Sequence, residues 1–110
     1  GLLAASDAPN TIRTRYFMPW NTHPTMAVTG SQCLASCALA KGTIADGMMA
    51  VQGEPPITIQ LEHPMGSMDV IVDYTEGQGG FQHQSTGIIR TCRKLADGHV
   101  FVPKDVWDGP

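Results

Sequence analysis

One short segment of this chain has an unusual content that limits what it can fold into. Seven of the eleven residues at 31–41 are alanine, serine or cysteine, and leucine is the only large apolar side chain there. Thr29 or Ser31 can cap the start of a helix here, and Gly42 is a stop signal after its end. Because no face of this helix carries strong charge, we expect it to be buried. Its small side chains allow close backbone approach, so we expect β-strands to pack around it.

The rest of the chain shows mainly β signals. Residues 57–62 alternate apolar and polar side chains, and residues 68–74 repeat that alternation, which predicts two half-buried strands. Further strands are predicted at residues 13–20, at 81–86 and on both sides of Asp97–Gly98, a strong hairpin signal. Glycine and proline supply 20 of the 110 residues, which favours turns over a helical bundle. The prediction is an α+β domain with a mostly antiparallel, barrel-like sheet wrapped around one central helix.

The chain length predicts a single domain. A chain of 110 residues has a common domain size and can bury its own core. Residues 1–12 are small and polar with a loop signal around Pro9, so we interpret them as a linker or a loose terminus. Residues 13–110 then form the domain. The chain starts at Gly1 without an initiator methionine, which we interpret as a fragment, a processed product or a tagged product.

Charge and cysteine content exclude several classes of function. The net charge is -3 and no basic cluster is present, so we predict no nucleic-acid partner. No apolar run reaches the roughly 18 residues of a membrane span, so we predict no membrane partner. Three cysteines without a CxxC pair favour free thiols in a reducing compartment, and therefore a cytoplasmic location. The four histidines lack zinc-ligand spacing, so no metal is predicted.

The segment before the predicted helix is the first candidate for chemistry. A glycine at position 30 leaves backbone N–H groups unobstructed, and the positive end of a helix can hold a carboxylate or a phosphate. Cys33 is predicted in the first turn, where the same field stabilises a thiolate. The plain alternative is a capped helix with a small core cysteine, and the local pattern alone favours that alternative.

Two other stretches offer weaker signals. Glu62 and His63 stand before a proline and glycine turn, an arrangement that can present a proton donor and backbone amides, although a simple hairpin turn explains it as well. Arg90, Arg93 and Lys94 form a short basic patch that could hold an acidic substrate. The alternative for this patch is a solvated surface.

Several stretches, in this order and spacing, resemble the C-terminal half of the PrpF family, which includes methylaconitate and methylitaconate isomerases and oxalomesaconate tautomerases. The resemblance covers roughly residues 13–107. The stretches are RYFMP at 15–19, HPTMAVTGSQC at 23–33, GT at 42–43, EHPMG at 62–66 and IIRTCRKLADGHVFVP at 88–103.

This resemblance implies a diaminopimelate-epimerase-like fold, in which two similar domains each wrap a sheet around a central helix and the active site lies between them. It implies an enzyme that needs no cofactor and moves a double bond in a small unsaturated di- or tricarboxylate by proton transfer. The family's N-terminal domain has no counterpart in these 110 residues. We therefore expect the partner to be that domain or a second copy, and the chain alone to be inactive.

The resemblance also implies individual roles. The N–H groups of residues 30–32 would hold a substrate carboxylate, and Cys33 would be the nearest catalytic thiol. The turn with Met65 usually reads His-Pro-Ser-Gly in the family. If that serine hydroxyl contacts the substrate in relatives, one hydrogen bond is missing here, worth about 1.5–3 kcal/mol. The alternative is a stand-alone, non-catalytic carboxylate-binding or scaffold domain that can dimerise. The implied substrate-binding residues are Thr29, Gly30, Ser31, Gln32, His63, Met65 and Gly66.

Overall fold

The computed structural model describes residues 1–109, which form one helix and seven strands. Five strands make one sheet in the order β1-β2-β5-β6-β7, and the other two make a small separate hairpin. All pairs in the large sheet are antiparallel except β2 with β5. The α+β prediction with a mostly antiparallel sheet is therefore confirmed. The elements are β1 Leu2–Ala5, β2 Thr11–Arg15, β3 Phe17–Met18, β4 Asn21–Thr22, α1 Val28–Leu39, β5 Ile57–His63, β6 Gly66–Gly77 and β7 Gly80–Ile88.

The sheet is open, with β1 and β7 as its edges. Helix α1 packs across one face, where it contacts β5, β6 and β7. It buries one side, formed by Ser31, Ala35 and Ala38. The expected barrel-like wrap around a helix buried on all sides is therefore not observed. Its physical reason is that the five-stranded sheet is open and lies against only one side of α1 in the described residues.

The core is the apolar face of β5 and β6. Strand alternation directs every second side chain toward α1, and the register opposes Ile59 to Val70 and Leu61 to Met68. Ile12 of β2 joins this core and is fully buried. Both central strands lie where the alternation predicts them, within a few residues at each end.

The first residues of the chain differ from the expected loose terminus. β1 pairs antiparallel with β2, with Leu3 opposite Thr14, so residues 2–5 belong to the sheet. A strand of four residues is too short to be recognised from alternation. Its pairing depends instead on the free edge of β2, which the local sequence does not reveal.

The last part of the chain also differs from the prediction. The strands predicted beyond position 89 are wrong, because no strand forms there in the described residues. Nearer the start of the chain, the predicted strand over residues 13–20 is split at Tyr16 into β2 and β3. Ile89 N–H donates to Asp69 O at 3.0 Å. Further along the described chain, the backbone hydrogen bonds are local: the N–H groups of Val106 and Trp107 both donate to Pro103 O. A strand needs a partner, and this segment has none in residues 1–109. In the same residues no helix is long and apolar enough to cross a membrane.

Replacing an isoleucine on the core face of the sheet should cost far more stability than replacing one on the opposite face. Ile59 is 0% exposed and Ile71 is 37% exposed. We expect Ile59→Ala to lower the free energy of unfolding by about 2–5 kcal/mol because it leaves a cavity, and Ile71→Ala to change it by less than about 1 kcal/mol. Urea denaturation measures both values. Equal losses would contradict the assignment of the core face.

Alkaline pH should destabilise the fold through two groups near Glu76. Burial, with the Glu76 carboxylate as a smaller cause, raises the pKa of Tyr74, whose ring stacks on Phe81 at 4.9 Å. The hydrogen bond from the Lys41 ammonium to Glu76 raises the pKa of Lys41. A folded-state pKa above the unfolded value gives stability that is complete below that unfolded value and lost as pH rises through the folded one.

We therefore expect the free energy of unfolding to fall as pH rises above about 10, the unfolded-state range of both groups. Tyr74→Phe should show a smaller fall because its ring cannot ionise, while Lys41 still titrates. Thermal unfolding between neutral and alkaline pH measures this slope. An alkaline slope unchanged in Tyr74→Phe would contradict the role of the phenol.

Candidate functional site

Helix α1 begins three residues earlier than predicted. It starts at Val28, and Ala27 is the N-cap, with φ -70 and ψ 145 and no side-chain cap hydrogen bond. Thr29 and Ser31 both lie inside the helix, so neither is the predicted cap. The Ser31 hydroxyl donates instead to Val28 O at 2.7 Å.

The early start changes which backbone groups are free. Ser31 N–H donates to Ala27 O at 2.8 Å and is the first amide of the helix with an acceptor inside it. The amides without an intrahelical acceptor are therefore those of residues 28–30, whereas residues 30–32 were the predicted donors. No acidic side chain lies in the first turn. The positive end of α1 is thus an electrostatically suitable place for an anion.

The side chains of this segment divide between protein and solvent. Thr29 and Cys33 are exposed and lie one turn apart on the same face of α1. Ser31 is fully buried, and Gln32 Nε2 donates to Thr86 O on β7 at 3.5 Å. Since Cys33 is exposed, it is not a small core cysteine. It lies in the second turn rather than the predicted first, where the field of the helix end is weaker.

The ring of Tyr16 packs against Gly30 and shapes the start of the helix. A Cβ at Gly30 would lie 2.7 Å from Tyr16 Cε2, so the close approach requires glycine. Tyr16 O accepts the His23 N–H at 2.7 Å, and the two rings meet edge to face at 6.3 Å. His23 Nδ1 in turn accepts the Thr25 N–H at 3.0 Å. These contacts hold the β3–β4 hairpin beside the N-terminus of α1.

The second candidate stretch is a tight hairpin between β5 and β6. His63 pairs with Gly66 around a two-residue loop, and Met65 N–H lies 3.3 Å from His63 Nδ1. Gly66 has φ +134, a conformation that other residues rarely adopt. Met65 is 73% exposed at the tip. The predicted turn is therefore confirmed, and its imidazole is tied to the loop backbone.

Thr14 brings the two stretches to the same end of the sheet. Its buried hydroxyl lies 2.9 Å from Glu62 O, next to the β5–β6 turn, and 3.3 Å from Met26 Sδ, on the segment that leads into α1. Each stretch nevertheless has its own surface. The groove beside the turn contains no residue of α1 among its lining residues within 1–109. The structure therefore places the predicted residues near each other without joining them in one pocket.

That groove has a volume of about 510 Å³ and a partly cationic wall. Arg13 and Arg15 share one face of β2 because they are two residues apart. Arg13 Nε donates to Glu62 Oε2 at 3.0 Å, and Arg15 Nη1 donates to Thr14 O at 2.7 Å. The lining includes Arg13, Arg15, Glu62, His63, Gly66 and Ser67.

Sequence reasoning missed these two arginines. The signal that could have found them is the Arg-Thr-Arg alternation within a strand, which puts both guanidinium groups on one face. The basic patch that was singled out lies elsewhere. Arg93 and Lys94 are exposed in the segment without regular structure, and Arg90 lies 4.0 Å from Met68 Sδ.

Residues 1–103 match the family model described as PrpF protein, and the chain belongs to this family. It is 32% identical over 109 residues to a 4-oxalomesaconate tautomerase of Pseudomonas putida. This alignment covers 99% of this chain and 29% of that protein. It is 33% identical to a (4E)-oxalomesaconate Delta-isomerase of Novosphingobium over 80% of this chain and 24% of that protein. A 3-methylitaconate isomerase of Eubacterium barkeri is 30% identical, over 74% of this chain and 20% of its own length. The chain thus spans less than a third of these curated relatives.

Substitution of Gly30 tests the packing that shapes the helix start. Gly→Ala inside a helix normally adds up to about 1 kcal/mol of stability. Here the added Cβ would overlap the Tyr16 ring, so we expect Gly30→Ala to destabilise the fold by about 1–3 kcal/mol. Gly87→Ala is the control, because a Cβ there meets no atom within 4 Å. Chemical denaturation that ranks the two variants alike would contradict the close contact.

Proposed function

We propose that this chain forms the C-terminal domain of an isomerase that shifts a double bond in an unsaturated di- or tricarboxylate by proton transfer without a cofactor. The relatives named above are an oxalomesaconate tautomerase, an oxalomesaconate isomerase and a methylitaconate isomerase. The observation that carries the proposal is the open start of α1, where partnerless amides, a hydroxyl and a thiol meet on one exposed face.

The amides of residues 28–30 are the proposed carboxylate holders. They combine N–H donors without an intrahelical acceptor with the positive end of the helix, so a carboxylate there gains charge-assisted hydrogen bonds. The Thr29 hydroxyl can add a further donor from the same turn. The resemblance implies that Ser31 binds the carboxylate. Its hydroxyl and its amide, however, both make hydrogen bonds inside the helix, so neither is assigned to the carboxylate here. Gln32 borders the site from the β7 side.

Cys33 is the proposed acid–base group of this domain. A double-bond shift removes a proton from the carbon next to the double bond, moves the electron pair along the carbon chain and returns a proton at the far carbon. A thiolate can take the first proton or a thiol can give the second, and neither step needs a redox partner. Cys33 is exposed one turn from Thr29, so a substrate carboxylate at the helix end brings its neighbouring carbons toward the sulfur.

The turn at His63 and Gly66 is the proposed contact for a second carboxylate. Arg15 lines the groove beside it, together with Arg13, which already pairs with Glu62. A guanidinium group binds a carboxylate in a planar, two-bond geometry. Met65 stands where the family turn carries serine. The hydroxyl missing there reduces the number of donors and alters which polycarboxylates are accepted.

The second acid–base group would come from the N-terminal domain or from a second copy of the chain. We therefore propose that this domain alone is inactive and that the complete polypeptide has the epimerase-like arrangement of two domains around the site. The three cysteines are free thiols, which supports a reducing, cytoplasmic location.

Proton exchange at the carbon next to the double bond tests this function. The complete polypeptide is incubated with 3-methylitaconate and with oxalomesaconate in deuterium oxide, and proton NMR follows isomerisation and deuterium uptake. We expect Cys33→Ser to lower turnover by about 10²–10⁴-fold, because general acid–base groups contribute that much. Cys92→Ser is the matched control, since that thiol is also exposed and lies far along the chain.

Three results would contradict parts of the proposal. Unchanged turnover in Cys33→Ser would remove this thiol from the reaction. Turnover by the 110-residue chain on its own would contradict the need for a second domain. The absence of both turnover and a thermal shift with every unsaturated polycarboxylate tried would favour the non-catalytic scaffold alternative.

A further inference from the structure

The groove beside the β5–β6 turn contains one cation that has no carboxylate partner. Arg13 is matched twice, because its Nε donates to Glu62 Oε2 at 3.0 Å and its Nη2 lies 3.8 Å from Asp7 Oδ2. Arg15 takes part in none of the ion pairs formed within residues 1–109. Its Nη1 donates to the neutral Thr14 O at 2.7 Å, so its positive charge remains available to an anion from outside.

The charges around this groove leave room for one carboxylate and no more. Its lining includes two arginines and the carboxylate of Glu62, which together leave one positive charge. A further carboxylate borders the lining, since Gln60 Nε2 donates to Asp69 Oδ1 at 3.2 Å. One bound carboxylate therefore neutralises the groove. A second one would meet the negative charges of Glu62 and Asp69 with no unpaired guanidinium left, and such like-charge contacts are unfavourable.

The neighbours of Arg15 are apolar. The register of β1 on β2 places Leu2 opposite Arg15, so both side chains leave the same face of the sheet. Pro64 lines the groove together with Arg15. Apolar neighbours reduce the competition from water for a guanidinium–carboxylate pair, and they offer no donor to a hydroxyl or to another carboxylate. Arg15 is thus suited to a carboxylate that is attached to a hydrocarbon chain.

The place of Arg15 in the chain connects the groove with the start of α1. Arg15 is the last residue of β2, and the next residue, Tyr16, packs its ring against Gly30. The proposed function assigns one substrate carboxylate to the amides of residues 28–30. With the unpaired guanidinium of Arg15, this domain has positions for two carboxylates in total.

We propose that the substrate is a dicarboxylate rather than a tricarboxylate and that Arg15 is the specificity-determining residue. This inference rests on the proposed function and defines its substrate class. Arg15 binds the second carboxylate in the two-bond geometry of a guanidinium. Glu62, paired with Arg13, excludes a third one by repulsion and by occupying the other guanidinium, so selectivity arises from rejection as well as attraction.

Two saturated acids test this selectivity without any turnover. Methylsuccinate and tricarballylate differ by one carboxylate on the methyl carbon, and neither contains a double bond to shift. Isothermal titration calorimetry of the complete polypeptide measures both affinities. We expect methylsuccinate to bind at least about 10-fold more tightly, because the extra carboxylate loses its solvation without gaining a charged partner. Tighter binding of tricarballylate would overturn the proposal.

Three variants test the individual charges. Arg15→Gln should weaken methylsuccinate binding at least about 10-fold, the value of a charge-assisted hydrogen bond. Lys104→Gln is the matched control, because it removes one positive charge from an exposed side chain outside the groove. Glu62→Gln should shift the preference about 10-fold toward tricarballylate, since Arg13 then becomes free to pair with the third carboxylate. Equal losses in Arg15→Gln and Lys104→Gln, or an unchanged preference in Glu62→Gln, would overturn the proposal.

Turnover separates this proposal from the proposed function. We expect Arg15→Gln to raise KM for 3-methylitaconate while kcat changes little, because Arg15 binds substrate without moving a proton. If the complete polypeptide binds methylsuccinate through Arg15 but does not isomerise 3-methylitaconate, the proposed function is contradicted and the dicarboxylate assignment is supported. If it isomerises 3-methylitaconate with the same KM before and after the Arg15→Gln substitution, the proposed function stands and the dicarboxylate assignment is overturned.

Discussion

The contact between the small-residue face of α1 and the apolar face of β5 and β6 is the interaction on which the rest of the structure depends. Ala35 and Ala38 have no side chain beyond Cβ, and they pack in one buried cluster with the branched side chains of the strands. Larger residues on that face would push the helix outward and open gaps, which cost stability as cavities do. The proposed substrate-binding end of α1 is therefore positioned by residues that carry no reactive group.

A second junction sets the direction in which α1 starts. Thr14 connects the end of β2 to Glu62 on one side and to Met26 on the other, and two residues further on the Tyr16 ring packs against Gly30. These contacts join three chain segments that are far apart in sequence. Because these contacts fix the entry into the helix, α1 starts at Val28 without a side-chain cap.

The sequence predicts well the features that are local and poorly the features that depend on a distant partner. The alternation of β5 and β6 reports their buried faces directly, and the small-residue pattern reports the existence of α1. The start of α1 is misplaced because Ala27 carries no capping side chain, and the packing of Tyr16 on Gly30 decides the entry. β1 is missed because its four residues carry no pattern, and only the edge of β2 makes them a strand.

The same reasoning accounts for the strands predicted beyond residue 89. Their β signals are physically real, since valine and phenylalanine prefer a pleated, covered surface, but no surface within residues 1–109 receives them. The face of α1 that carries Thr29 and Cys33 is likewise exposed to solvent. A proton-transfer site works best when water is excluded, and nothing in this sheet covers that face. The proposed N-terminal domain, or a second copy of the chain, would exclude water from Cys33 if it packed against that face.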